Sequence, residues 1–317
     1  LATISTDINH AKSYLEQGYN IGIPTETVYG LAANALDKNA VAKIFEIKNR
    51  PTFDPLIVHC ATIYEIEKYI IDFPKPLQDL ANTFMPGALT LLLPKNEKIP
   101  SIVCAGLDKI AFRIPNHPIT LALLKELNFP LAAPSANPFG YISPTTAQHV
   151  EKQLGNQIPY ILDGGKCEIG LESTIVSLEN QKLVVHRLGG LSIEELEKTG
   201  IEISIQINQS SNPVAPGQIQ SHYAPKKPIL IGNITELIYK NKDKKIGVLS
   251  FGNMNYGNIE LNLNLSKNAN YKEAASNLFD YMRQLDESEV DIILTEYLPT
   301  KGLGIAINDR LKRAAAK

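Results

Sequence analysis

The feature that most narrows the folds open to this chain is an alternation: a short apolar run, then a stretch with helical spacing. Runs at 19–23 (YNIGI), 56–59 (LIVH), 88–93 (ALTLLL), 110–114 (IAFRI) and 130–133 (PLAA) have the length and bulk of strands. Between them, 38–48 carries Val41, Ile44, Phe45 and Ile47 at helical spacing, and 76–85 reads as helix. The stretch 118–127 begins with proline at a first-turn position. A helix over 145–154 follows a capping hydroxyl, with strands at 159–162, 173–178 and 183–188, and Ser192 with Glu195 makes a capping box. Beyond residue 227 the pattern is more regular. KPILIG, KIGVLSF, IELNL and DIILTEY alternate with helices at 234–241, 271–286 and 304–316, which predicts a small α/β domain with a mainly parallel sheet. The long helix lines up Ala274, Ala275, Leu278, Phe279, Met282 and Leu285 on one face, as core packing requires.

NPVAPGQIQSHYAPK (212–226) parts the two patterns, with prolines 213, 216 and 225, Gly217, and no acid or base before Lys226. A chain of 317 residues is roughly twice the usual domain size. The expected division is therefore 1–207, a connector over 208–227, and 228–317. With 44% hydrophobic residues the chain can build real cores, and a net charge of -2 argues against a dedicated nucleic-acid binder. Cys60, Cys104 and Cys167 are widely spaced and odd in number, so neither a zinc site nor a disulfide framework is expected. With no basic n-region and no membrane-length apolar run, a reduced cytoplasmic setting is the simpler reading. Phosphate-loop, H-E-x-x-H and G-x-S-x-G motifs are missing, and GLGIAI at 302–307 reads as a turn and a helix start.

Four segments concentrate chemistry. PTETVYG (24–30) follows a strand, where open α/β sheets place ligands, and it equally suits a capped turn. In KNRPTFDPLIVH (48–59), Pro51 stops the helix, so Lys48 and Arg50 can turn toward one site. Left without an acidic partner, these cations are expected to suit an anion such as a triphosphate; otherwise they complement the helix dipole. Arg113 in FRIPNHP lies inside an apolar strand, so it either points to solvent or meets a carboxylate. APSANPFGYISPT (134–146) sets Ser135 and Asn137 on a proline-bounded loop and Ser143 ahead of a helix, a position that favours phosphate oxygens. ESTIV (172–176) and VVHRLGG (184–190) add Ser173 and Arg187.

PTETVYGLAA, K-x-R, the PLIVH strand, R-x-P, PSAN and ESTIV, in this order, resemble the Sua5/YrdC/YciO family. The HYAP connector and GLGIAINDRLKRAA resemble its two-domain threonylcarbamoyl-AMP synthase type, and the likeness covers almost the whole chain. It implies a YrdC-like α/β domain with a twisted mixed sheet, followed by a smaller Rossmann-like α/β (Sua5) domain. It further implies synthesis of L-threonylcarbamoyladenylate from L-threonine, bicarbonate (or CO2) and ATP with Mg²⁺, with separate t6A transfer proteins downstream and direct tRNA contact left open. By the same matching, threonine lies against Arg113, Thr27, His59, Ser173 and main chain near Ala133. ATP lies against Lys48, Arg50, Ser135, Asn137, Ser143, Arg187 and Tyr223, with main-chain contacts near Asp54 and Lys109. Little covalent chemistry falls to the protein, and no residue stands out as a general base. The chain departs from the related P-G-M-K connector pattern, reading Gln218-Ile219-Gln220, so no lysine contact to phosphate is expected there. A stiff, uncharged connector could also close the site against water. Two rival readings are a double-stranded-RNA or ribosome-assembly factor of this fold and a carbamoyl-adenylate former that uses carbamoyl phosphate.

Overall fold

A computed structural model describes residues 1–207, 215–216, 223–254, 256–257 and 259–316. The first part runs β1 (Thr3–Ser5), α1 (Ile8–Glu16), β2 (Ile21–Ile23), β3 (Gly30–Asn34), α2 (Lys38–Lys48), β4 (Ile57–His59), α3 (Ile63–Glu67) and α4 (Lys75–Phe84). It continues with β5 (Leu89–Pro94), β6 (Lys109–Arg113), α5 (Pro118–Glu126), β7 (Leu131–Ala132), α6 (Ala147–Leu154) and β8 (Tyr160–Leu162). β9 (Thr174–Glu179), β10 (Lys182–Arg187), α7 (Ile193–Glu197) and β11 (Ile203–Ile205) complete it. The second part holds β12 (Ile229–Ile231), α8 (Ile234–Lys240), β13 (Ile246–Ser250), β14 (Leu261–Asn264), α9 (Tyr271–Glu287), β15 (Ile292–Thr295) and α10 (Gly304–Ala314).

The first eleven strands form one mixed sheet in the order β1-β8-β2-β3-β7-β4-β6-β5-β9-β10-β11. The last four form a second sheet, β12-β15-β13-β14, in which every pairing is parallel. The mixed sheet and the smaller parallel α/β unit expected from the sequence are thus both present. The capping box at Ser192 and Glu195 is formed. The helix over 38–48 stops as Pro51 dictates, but the break falls on Asn49, which takes the left-handed conformation at φ 51°.

The apolar face of α9 is fully buried, but not only against its own sheet. Leu278, Phe279 and Met282 belong to a core cluster that also contains Val28, Leu31 and Ile142 of the first part. Gly170 lies so close to α9 that a Cβ there would sit 2.5 Å from the Ala275 carbonyl oxygen, and its φ is +73°. The two sheets are therefore docked through α9.

Candidate active site

The site begins with strand register. β4 and β6 are parallel neighbours with Ile57 opposite Ala111 and His59 opposite Arg113, so these side chains share a sheet face. In β9 and β10, Val184 faces Ser177 and Val185 faces Val176, which would bring His186 opposite Ile175. A bulge between Val185 and Arg187 instead sets Arg187 opposite Ile175. That one-residue irregularity re-aims the arginine onto the face of Ile57 and Ala111. Ile57, Leu92, Ala111 and Ile175 make an apolar floor, against which Ala215 of the connector is buried.

Around this floor lies a chamber lined by Thr27, Arg50, His59, Arg113, Ala133, Ser135, Glu172, Ser173, Arg187 and Tyr223 among others. Arg113 is buried and meets a carboxylate, the second of its two sequence alternatives. Its Nη2 lies 2.7 Å from Glu26 Oε1, Nε donates to the Gly87 carbonyl at 3.1 Å, and Nη1 donates to the Thr27 hydroxyl at 2.8 Å. PTETVYG proves to be capped turn and site wall together. The Thr25 hydroxyl donates to the Val28 carbonyl at 2.6 Å and accepts from the Thr27 and Val28 amides, which fixes Thr27 against Arg113. His59 beside Arg113 is neutral: burial first, then the arginine charge, push its pKa down to about 3.

The expectation that Arg50 lacks an acidic partner is overturned. Arg50 Nη2 pairs with Asp54 at 2.9 Å, and its guanidinium also donates to the carbonyls of Asp54 and Pro55. An unpaired arginine this deeply buried would cost too much, so the chain supplies an acid four residues on. Lys48 is buried too, and its ammonium donates to the Ser135 and Asn137 carbonyls at 2.6 and 2.5 Å. It therefore braces the PSAN loop from behind, with its pKa driven well down by burial and by Arg50. Asn137 donates to the carbonyls of Pro138 and Tyr141, which locks the same loop. Arg187 donates to the Ser173 carbonyl and hydroxyl at 3.0 Å each, and to the Pro216 carbonyl of the connector at 3.4 Å. Burial lowers its pKa to about 10, so it stays charged at neutral pH.

Two further predicted residues stand apart from the chamber. Lys109 starts β6, half-exposed, and its ammonium lies 3.5 Å from Glu179. Ser143 is buried behind the wall and donates to Glu172 Oε1 at 2.6 Å. Glu172 directly precedes Ser173, but nothing in the local sequence marks it as a site residue. Burial works against its carboxylate, but Arg310, Arg187 and Ser143 outweigh that and hold the pKa down at about 2. The close fit behind it depends on glycine, since a Cβ on Gly189 would lie 2.2 Å from the Glu172 carbonyl oxygen. Tyr223 packs its ring on Phe279 with centroids 5.4 Å apart. Gln218, Ile219, Gln220 and His222, and with them most of the stretch considered as a closing strap, lie outside the described residues.

Three buried arginines from separate elements, with serine and threonine hydroxyls over an apolar floor, give the chamber the donors that suit anionic and small polar groups. Among the described residues no cluster of three potential metal-ligating side chains occurs, and Asp54, Glu26 and Glu172 are each paired with an arginine. No helix among them is long and apolar enough to cross a membrane.

A family model for Sua5, YciO and YrdC, described as "Telomere recombination", matches residues 13–189. A second, "Threonylcarbamoyl-AMP synthase, C-terminal domain", matches 191–316. The chain is 40% identical to a threonylcarbamoyl-AMP synthase of Pyrococcus abyssi over 97% of its length and 94% of the relative's. The Bacillus subtilis enzyme of that name is 39% identical, over 99% and 94%. The crystal structure of Pyrococcus abyssi Sua5 complexed with L-threonine superposes with a TM-score of 0.91 at 40% identity, covering 97% of this chain and 94% of that one. The chain belongs to the Sua5/YrdC/YciO family, in its two-domain form.

Proposed function

We infer that this chain is an L-threonylcarbamoyladenylate synthase. It joins L-threonine, bicarbonate or CO2, and ATP, releases pyrophosphate, and so supplies the threonylcarbamoyl group of the tRNA modification t6A. The observation that carries this reading is the convergence of buried Arg50, Arg113 and Arg187 on one chamber whose chain belongs to this family. Residues 1–207 act as the catalytic domain, 208–227 as the connector and 228–317 as the C-terminal domain. Arg113 takes the threonine carboxylate, while Thr27, His59, Ser173 and the main chain at Ala133 surround its side chain and amine. ATP lies against Arg50, Ser135, Arg187 and Tyr223. Lys48, Asn137 and Ser143 hold that wall in place, and contacts at Asp54 and Lys109 are left to the main chain.

The chemistry asks for position and charge rather than for a protein nucleophile. The threonine amine forms a C–N bond to CO2, and the proton it loses passes to solvent. An oxygen of the resulting carbamate then forms a bond to the α-phosphorus in line, as the bond from that phosphorus to the pyrophosphate oxygen breaks. Arg50 and Arg187 neutralise the charge that gathers on the phosphates, and a water-poor floor strengthens them. His59, neutral and weakly basic, serves as a hydrogen-bonding partner rather than a proton acceptor. Mg²⁺ enters as part of the substrate MgATP, which suits a wall whose carboxylates are already paired.

The test is pyrophosphate release from ATP with threonine and bicarbonate added or withheld in turn. Release that needs both is the expected result, and release indifferent to threonine would overturn the reading. Salt-dependent RNA affinity without any such turnover would favour the RNA-factor alternative.

A further inference from the structure

The C-terminal domain contributes a fully buried arginine that the site does not need for its definition. Arg310, on α10, donates through Nε and Nη2 to one oxygen of Glu172, Oε2, at 3.0 and 2.9 Å. Its Nη1 donates to Asp309 at 2.9 Å, and its guanidinium carbon lies 5.0 Å from the centroid of the Tyr223 ring. The other oxygen of Glu172, Oε1, is the one that receives the Ser143 hydroxyl. Glu172 and Tyr223 both line the chamber, whereas Arg310 does not. One guanidinium from the second domain thus holds a site carboxylate, a connector ring and, at one remove, the Ser143 hydroxyl behind the wall.

We propose that Arg310 is a positioning residue for adenylation: through Glu172 and Tyr223, the C-terminal domain completes the nucleotide end of the catalytic site. The proposal rests on the synthase reading above. A buried ion pair is a poor device for stability, because the cost of desolvating both charges offsets their attraction, but it is a good one for register. Stability at this contact has another source: Ala306, Ile307, Leu311 and Ala314 of α10 are buried apolar residues. The arrangement also needs arginine rather than lysine. A planar fork can present two N–H groups to one oxygen and a third to Asp309 while lying near an aromatic ring, and an ammonium cannot.

The experiment compares wild type, Arg310→Met, Arg310→Lys and the double variant Arg310→Met/Glu172→Gln. The readouts are ATP and threonine kinetics in pyrophosphate release, calorimetric binding of ATP and of threonine, and thermal unfolding. Arg310→Met is expected to lower kcat/KM for ATP at least tenfold and to leave threonine binding within twofold. Arg310→Lys recovers only part of the loss. The double variant removes both members of the Arg310–Glu172 pair and leaves Asp309 with Arg313, so it folds even where Arg310→Met does not, and it keeps the ATP defect. Wild-type ATP kinetics in the double variant would overturn the proposal, as would equal losses for ATP and threonine, the mark of general loosening. If the wild-type chain itself shows no threonine-dependent release, the synthase reading falls. The ATP calorimetry then decides the role of Arg310 separately, and equal affinities across the series refute it.

Discussion

The two ends of the chamber are built differently. At the proposed threonine end, Arg113 and His59 are neighbours in one sheet, and the partners of Arg113 are Thr27, Glu26 and Gly87, all from the first domain. At the proposed nucleotide end, Arg187 reaches a connector carbonyl at Pro216, Glu172 is held by Arg310, and Tyr223 is packed on Phe279. The first end is wired inside a sheet; the second is assembled across a domain boundary. A site built this way can present threonine binding as a fixed property of one domain and make nucleotide handling conditional on how the two domains dock.

Substitutions at the two ends should therefore separate. The largest effect is expected for Arg50→Ala, which removes charge neutralisation at the phosphates and should lower kcat on the order of 10²–10³-fold. The ion pair with Asp54 adds a stability cost, because a lone buried carboxylate is left behind, so Arg50→Met/Asp54→Asn serves as the matched control. Wild-type-like pyrophosphate release in either variant would remove Arg50 from the site. Arg113→Ala comes next. Losing a charge-assisted carboxylate contact of about 3 kcal/mol should raise the KM for threonine about 100-fold with a much smaller change for ATP. Parallel losses for both substrates would erase the distinction between the two ends.

Gly170→Ala probes the docking itself without touching a charged group. The new Cβ would meet α9 backbone at 2.5 Å from the Ala275 carbonyl oxygen, at a φ of +73° that alanine resists. Overpacking of this kind costs roughly 1–3 kcal/mol, enough to shift α9. The expected outcome is a loss of about tenfold in kcat/KM for ATP, with threonine affinity by calorimetry within about twofold, a tenfold change corresponding to about 1.4 kcal/mol. Threonine affinity that falls as far as ATP use would show that the first domain does not hold its end alone.

The same contrast governs what the sequence makes legible. Most strands and helices are announced by apolar spacing and caps, as with β4, β6, α5 and α9. The elements it hides lack a run of apolar bulk: TIS of β1 offers one apolar residue, ISI of β11 is interrupted by a serine, and GLAAN of β3 lacks the branched bulk that marks a strand. Within the site, Arg113 in an apolar strand is visible because a buried charge demands a partner. The Asp54 partner of Arg50 is equally present in the sequence, four residues on, but only the folded loop turns it inward. The face taken by Arg187 is not legible, since period-two alternation assigns it to the opposite side and only the bulge corrects this. The Glu172–Arg310 pair spans the domain boundary, and nothing local to either residue points to the other.

The smallest effect, and the one most specific to the threonine end, concerns pH. His59 is held neutral, with its pKa lowered from the ordinary 6.5 to about 3 by burial and by Arg113. A depressed histidine contributes stability that is fully present above its unfolded value and is lost as pH falls toward the folded one. In the window from about 6.5 down to 3, the unfolded chain binds a proton that the native site refuses, so acid favours unfolding by up to about 1.4 kcal/mol per pH unit for this group. His149, lowered to about 4 by burial and Arg283, adds a similar slope from the domain interface. Urea unfolding at pH 6.5 and 5.0 should therefore show a stability loss that His59→Gln reduces by about one proton's worth. His149→Gln should reduce it by a comparable amount. If the threonine end and the domain interface are wired independently, the two reductions add, because sites without shared partners combine additively. A double variant that falls well short of the sum would mean that the sheet and the domain interface unfold as one coupled unit.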